Sequence, residues 1–186
     1  MSPRKLVSTR TLWKKKRSSL IPSPIFISEV DSESTNAPTP DWKQEALDKH
    51  NEYRALHGVE PLELDEELCA RAQEYAESSV KGNALVHSSD DVGENMFSKG
   101  SSESLMTAPL GKMATEDWYN EIKDHDYDNP NLDVTGHFTQ VIWKSSTRLG
   151  IGVALDNNGR KAVVVAQYTP NGNLPSVVAE NVPRPQ

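Results

Sequence analysis

Residues 41–186 predict an α+β domain built on a mainly antiparallel sheet, and three observations carry that expectation. Apolar residues recur at helical spacing through the first half of this span. The last third alternates apolar with small residues at strand spacing. Between two of these strand-like runs stands Asp156-Asn157-Asn158-Gly159, a strong hairpin turn. Helices first, then strands joined by short turns, is the order of an α+β fold rather than of alternating parallel units.

The elements follow in order. Trp42, Ala46, Leu47, Tyr53 and Leu56 form the stripe of a first helix over Trp42–Leu56, and Gly58 stops it. Asp65 is a helix-starting cap, with Glu66 and Glu67 in the first turn where the helix dipole favours anions. Leu68, Ala72, Tyr75 and Ala76 continue that second helix to about Val80, ahead of Gly82-Asn83. His87 to Glu94 reads as loop, Asn95–Ser98 as a short strand, and Lys99–Leu110 as Ser-rich connection. Ala114, Trp118 and Ile122 at i, i+4, i+8 predict a third helix over Lys112–Lys123. Phe138–Lys144, Leu149–Leu155 and Lys161–Tyr168 read as three strands, and a turn at Pro170–Asn173 follows them.

Charge divides the chain. Residues 1–40 carry seven cations (Arg4, Lys5, Arg10, Lys14, Lys15, Lys16 and Arg17) and three acids, net +4; residues 41–186 carry 13 basic and 24 acidic residues, net −11. An acidic domain argues against nucleic acid as a partner, because phosphate contacts need cationic patches. Residues 1–40 read as a disordered basic tail and polar linker, residues 41–186 as the domain. The basic tail suits an anionic membrane surface, at roughly 1 kcal/mol per Lys or Arg. No run of apolar residues reaches membrane-spanning length. Leu20–Ile27 is apolar but short and broken by Pro22 and Pro24, a poor signal peptide. The acid-free composition of residues 1–28 also suits a mitochondrial transit peptide, and Ser2 in place of Gly argues against myristoylation. The single cysteine, Cys69, lies on a helical stripe; it permits no internal disulfide and reads as a small buried residue.

Four residues stand out for chemistry: His87, Glu94, Glu121 and His137. Two imidazoles and two carboxylates are the inventory of a divalent-metal site or an acid–base pair. His87 and Glu94 share one loop in this reading, and His137 opens a strand. Glu121 falls on the edge of the inward face of the third helix, where an unpaired carboxylate is costly, so a partner is expected, and a histidine from the sheet is suited to it. Glu116, off the stripe, ranks behind it. Catalysis finds no support in motif: there is no nucleophile elbow and no HExxH, and Ser88 is next to His87 in sequence only. The same four residues also suit a buried polar network with no ligand.

Four ordered segments carry a resemblance. They are HNEYR at His50–Arg54, HSSDDVGEN at His87–Asn95, TGHFTQVIW at Thr135–Trp143 and YTPNGN at Tyr168–Asn173. Over about residues 42–183 the chain resembles the CAP superfamily of cysteine-rich secretory, antigen 5 and pathogenesis-related 1 proteins. Lacking disulfides, it is most similar to the Golgi-associated plant pathogenesis-related branch. The resemblance implies a three-layer α-β-α sandwich whose cavity is built from His87, Glu94, Glu121 and His137, with Zn2+ or another divalent cation held by His87 and His137. It also implies a non-enzymatic module that binds lipid or sterol. An intracellular location, peripheral on Golgi or other membranes, and a homodimer are further expectations. Two alternatives stay open: a metal-dependent hydrolase using His87 and His137, and an extracellular defence or signalling protein of the pathogenesis-related type.

Overall fold

The computed structural model describes residues 40–82, 84–89 and 91–186. The tail expectations for residues 1–39 lie outside the described residues.

Helix α1 (Trp42–Leu56) starts where the Asp41 side chain accepts a hydrogen bond from Gln44 N. Asp65 caps α2 (Glu66–Val80) in the same manner through Leu68 N. Between them lies the two-residue strand β1 (Glu63–Leu64), which the sequence reading missed because a strand so short has no period. Strand β2 runs over Gly93–Gly100, longer than its apolar signal. Helix α3 (Leu110–Asn120) passes directly into a 3₁₀ turn at Glu121–Asp124. Helix α4 (Leu132–Val141), strands β3 (Arg148–Leu155) and β4 (Lys161–Thr169), a second 3₁₀ turn (Pro175–Val177) and the short α5 (Val178–Asn181) complete the chain.

The expected strand at Phe138–Lys144 is instead the second half of α4 and the bend after it. Thr139, Val141, Ile142 and Trp143 have strand-like side chains. However, the buried positions Thr135, Phe138, Thr139 and Ile142 fall at spacings of three, four and seven, the period of a helix face. Asn131 caps α4 by accepting from Asp133 N. His137 therefore sits on a helix rather than at the start of a strand. Glu94, placed on a loop by the sequence reading, is the second residue of β2.

The sheet order is β1-β3-β4-β2. β3–β4 and β2–β4 pair antiparallel, and β1 joins β3 in parallel at one edge, so the sheet is mixed. Alternation along β4 assigns its two faces. Ala162, Val164, Ala166 and Tyr168 join Ile151, Leu149, Ala46, Ala114, Trp118 and Phe138 in one core; Val163 and Val165 join Ala72, Ala76, Val80, Met96 and Ala154 in another. Helix α2 thus covers one face, and α1, α3 and α4 cover the other, which makes three layers.

Two details hold the layers. On the α2 side β3 is almost bare: a Cβ on Gly150 would fall 2.3 Å from the carbonyl carbon of Leu68, and one on Gly152 would fall 2.2 Å from that of Ala72. On the other side Arg54 is 1 % exposed and has no carboxylate partner among the described residues. Its guanidinium donates instead to four main-chain carbonyls, those of Glu60 (2.8 Å), Val141 (3.2 Å), Trp143 (2.9 Å) and Ser146 (2.9 Å). Val141 ends α4, so the cation meets the negative end of that helix. Burial lowers the Arg54 pKa to about 10, which leaves it charged at neutral pH.

Gly152→Ala forces backbone against backbone and is expected to cost about 1–3 kcal/mol in urea unfolding. Gly100→Ala, where a Cβ meets nothing within 4 Å, is the control and is expected to change little beyond the local backbone term. Equal effects would contradict the close approach of α2.

Candidate functional site

The four residues singled out in sequence converge on one cleft of about 300 Å³, lined by His87, Glu94, Asn95, Glu121, Leu132, Asp133, Val134, Gly136, His137 and Asn173. They do so as two matched pairs. The Nδ1 of His137 lies 2.6 Å from Glu121 Oε1, and the Nδ1 of His87 lies 2.9 Å from Glu94 Oε1. A carboxylate accepts, so Nδ1 is the protonated nitrogen of each imidazole, and in the neutral form Nε2 is the lone-pair nitrogen. Neither Nε2 has a hydrogen-bond partner among the described residues.

Each carboxylate accepts three hydrogen bonds. Glu121 Oε2 accepts from the backbone N–H groups of His137 (3.0 Å) and Phe138 (3.1 Å). These N–H groups become available because Thr135 (φ −124°, ψ 22°) breaks the helical geometry inside α4, and Glu121 then caps the restarted helix. Glu121 stands at the junction of α3 and the 3₁₀ turn, which points its side chain across to α4. Glu94 Oε1 also accepts from Ser88 N (2.9 Å), and Oε2 accepts from Gln167 Nε2 (3.1 Å). Among the described residues no three His, Cys, Asp or Glu side chains gather as a metal cage. The acids hold histidines and backbone rather than open coordination positions. Glu116 is elsewhere, on the outer face of α3 near Lys49 and Lys112.

A buried chain of hydrogen bonds supports this cleft. His50 is fully buried and donates from Nδ1 to Ala46 O (2.7 Å), so its Nε2 accepts from the Tyr168 hydroxyl (2.8 Å). Asn95 Nδ2 donates to that hydroxyl oxygen (3.2 Å) and to the carbonyl of His137 (3.0 Å). Asn173, the one non-glycine residue with positive φ (58°) among those described, donates to Gly136 O and accepts from Thr139 Oγ1. Hydrogen bonds therefore join all four sequence segments into one connected set. Sequence reasoning passed over Asn95 and Gln167; Asn95 closes the HSSDDVGEN segment, while Gln167 carries no local signal at all.

Residues 47–168 match the CAP family, described as the cysteine-rich secretory protein family. The chain is 36% identical over 138 residues to the human Golgi-associated plant pathogenesis-related protein 1, covering 72% of this chain and 85% of that one. This chain belongs to the CAP family. It is also 41% identical over 134 residues to pathogenesis-related protein 1A of Nicotiana tabacum, covering 70% and 76% of the two chains. Among solved structures it is similar to BmVAL-1, with a TM-score of 0.61 and 25% identity over 76% of this chain and 82% of that one.

Set in the CAP fold, the remaining imidazoles have other duties. His57, just past the end of α1, is 1 % exposed, bonded through Nδ1 to Pro183 O and through Nε2 to the Tyr119 hydroxyl, and burial pushes its pKa down. His125 is lowered by burial as well, and its Nδ1 meets Thr135 Oγ1 (2.8 Å) at the kink of α4.

Burial lowers the His50 pKa from 6.5 to about 4. Between those values the unfolded chain binds a proton that the folded chain refuses. Stability is therefore full above pH 6.5 and falls as the pH drops towards 4, by up to about 3 kcal/mol from this residue. His57 and His125 contribute with the same sign. Urea unfolding between pH 7 and 4.5 is expected to show this slope, and His50→Gln, which cannot titrate, is expected to reduce it. An unchanged slope would place the acid sensitivity elsewhere.

Proposed function

We propose that this CAP-family protein is a binding module whose cleft holds a divalent cation between Nε2 of His87 and Nε2 of His137. One observation carries the reading: each imidazole is fixed through Nδ1 by its own carboxylate and keeps Nε2 for a ligand. That is how histidines are oriented around a metal, with the carboxylate setting tautomer and raising ligand basicity. The donor set fits a Zn2+-class ion, which accepts imidazole nitrogen and tolerates open positions for water or ligand. Bound there, the ion would supply a localised positive charge in a cleft that otherwise has none from Lys or Arg.

A hydrolase finds less support. No hydroxyl or thiol bonds to His87 or His137 among the described residues, and the Ser88 group that meets Glu94 is its backbone N–H.

Binding of a lipid or sterol, and attachment to an anionic membrane through Arg4, Lys5, Arg10, Lys14, Lys15, Lys16 and Arg17, belong to the same proposal. The wall of the cleft supports an amphiphile: Val134 on it is an exposed apolar side chain, and Val86 and Leu174, next in sequence to His87 and Asn173, are exposed as well. No helix of the described residues is long and apolar enough to cross a membrane. The name of the human relative supports the Golgi as the membrane concerned.

Calorimetric titration of the full chain with Zn2+ is expected to show saturable binding that His87→Ala/His137→Ala abolishes in a variant that still folds. No binding by the native chain would leave the four residues as a structural network. Separately, deleting residues 1–17 is expected to abolish sedimentation with phosphatidylserine vesicles at low salt, and the full chain is expected to lose that binding as salt rises. Salt-resistant binding without the arm would assign membrane contact to the apolar rim instead.

A further inference from the structure

Asn95 is 1 % exposed and lines the cleft beside His137. Its amide orientation is set by chemistry rather than choice: the group 3.0 Å from the His137 carbonyl must be the donor, Nδ2, because a carbonyl only accepts. The same Nδ2 reaches the Tyr168 hydroxyl. That leaves Oδ1, an acceptor with no hydrogen-bond partner among the described residues. Nor is it shut away from solvent. The buried side-chain atoms that lack a partner are Glu45 Oε2, His125 Nε2, Tyr127 OH and Gln167 Oε1, and Asn95 Oδ1 is not one of them. Asn95 lines the cleft.

An almost fully buried amide with one end committed and the other facing a cavity is costly unless something in that cavity meets it. The other free polar atoms of the wall show what that something is. His87 Nε2 and His137 Nε2 are lone-pair nitrogens, Asp133 adds a carboxylate, and Glu94 and Glu121 are occupied by their histidines. Neither lysine nor arginine lines the cleft. A wall that offers lone pairs and negative charge is complementary to a cation and not to an anion.

We infer that Asn95 Oδ1 is a third ligand of the cation in this cleft, beside the Nε2 atoms of His87 and His137. The inference rests on the cation reading above and extends it to a residue that motif chemistry does not single out, since an amide oxygen is neither acidic nor titratable. It also gives the site a mixed nitrogen–oxygen character. Such a site is less selective for the softest ions than two imidazoles alone, and it admits Mn2+ as well as Zn2+.

Two substitutions separate a ligand from a residue that only positions His137. Asn95→Asp and Asn95→Ala both remove Nδ2, and with it the bonds to His137 and Tyr168. They differ in whether an oxygen remains at Oδ1 and in its charge, so the side-chain amide resonance of the native chain is followed during the Zn2+ titration beside them. The full chain and both variants are titrated with Zn2+ and with Mn2+ by calorimetry. Asn95→Asp is expected to bind each ion at least about tenfold more tightly than Asn95→Ala, a step typical of a metal-site contact. Equal affinities for the aspartate and alanine variants would overturn the assignment while leaving the histidine site intact. Should either variant fail to fold, the native chain decides: Zn2+ must shift the Asn95 side-chain amide resonance in step with His87 and His137, and an unmoved amide overturns the inference. Failure of the native chain to bind any ion overturns both this inference and the reading beneath it, whereas equal affinities of the two Asn95 variants beside a native chain that does bind overturn this inference alone.

Discussion

The Tyr168 hydroxyl is the point from which the site is built. It lies in the core at the end of β4, where burial pushes its pKa far above the ordinary phenol value, so it stays a neutral donor. It gives its proton to His50 on α1 and accepts from Asn95 on β2, and Asn95 in turn holds the main chain of His137 on α4. Each link is a buried polar group whose desolvation cost is met only when the next link is in place. Remove one and the others are left unpaired. The arrangement therefore exists as a whole, and it fixes the relative positions of two helices and two strands with hydrogen-bond accuracy.

Around that chain the fold keeps two kinds of approach. Where α2 crosses the sheet at β3, Gly150 and Gly152 let backbones touch. Where α1, α3 and α4 meet it, large side chains fill the space and polar groups are buried among them, Arg54 above all. An arginine without an acid is tolerable there because four carbonyls, one of them at a helix C-terminus, supply the negative potential. The dry face gives stability, and the polar face carries the site.

The kink at Thr135 links fold to chemistry. A continuous α4 would satisfy its own N–H groups and leave Glu121 with nothing to cap. Broken at Thr135, the helix offers two N–H groups beside the imidazole of His137, and one carboxylate takes all three hydrogen bonds. The side chain of His137 is oriented by the same group that orients its backbone. His87 has a looser version of this arrangement, on an exposed segment held by Glu94 from the edge strand.

Much of this was legible in the chain. The helices at Trp42–Leu56 and Glu66–Val80, with their Asp caps, follow from local spacing and short side-chain reach, and so does the β3–β4 hairpin. Local physics is enough for such elements because every interaction that decides them lies within a few residues. The four chemical residues were legible as types, and the motifs placed them in one cavity. The tertiary structure decided the rest. Phe138–Trp143 has strand-like composition but packs at helical period against the sheet, and only the shape of the surrounding core selects that. The pairing of His87 with Glu94 and of His137 with Glu121, the role of Asn95 and the contribution of Gln167 depend on contacts between residues up to 73 positions apart. No local pattern records such contacts, because their energy comes from burying several polar groups together, and that happens only once the chain has folded.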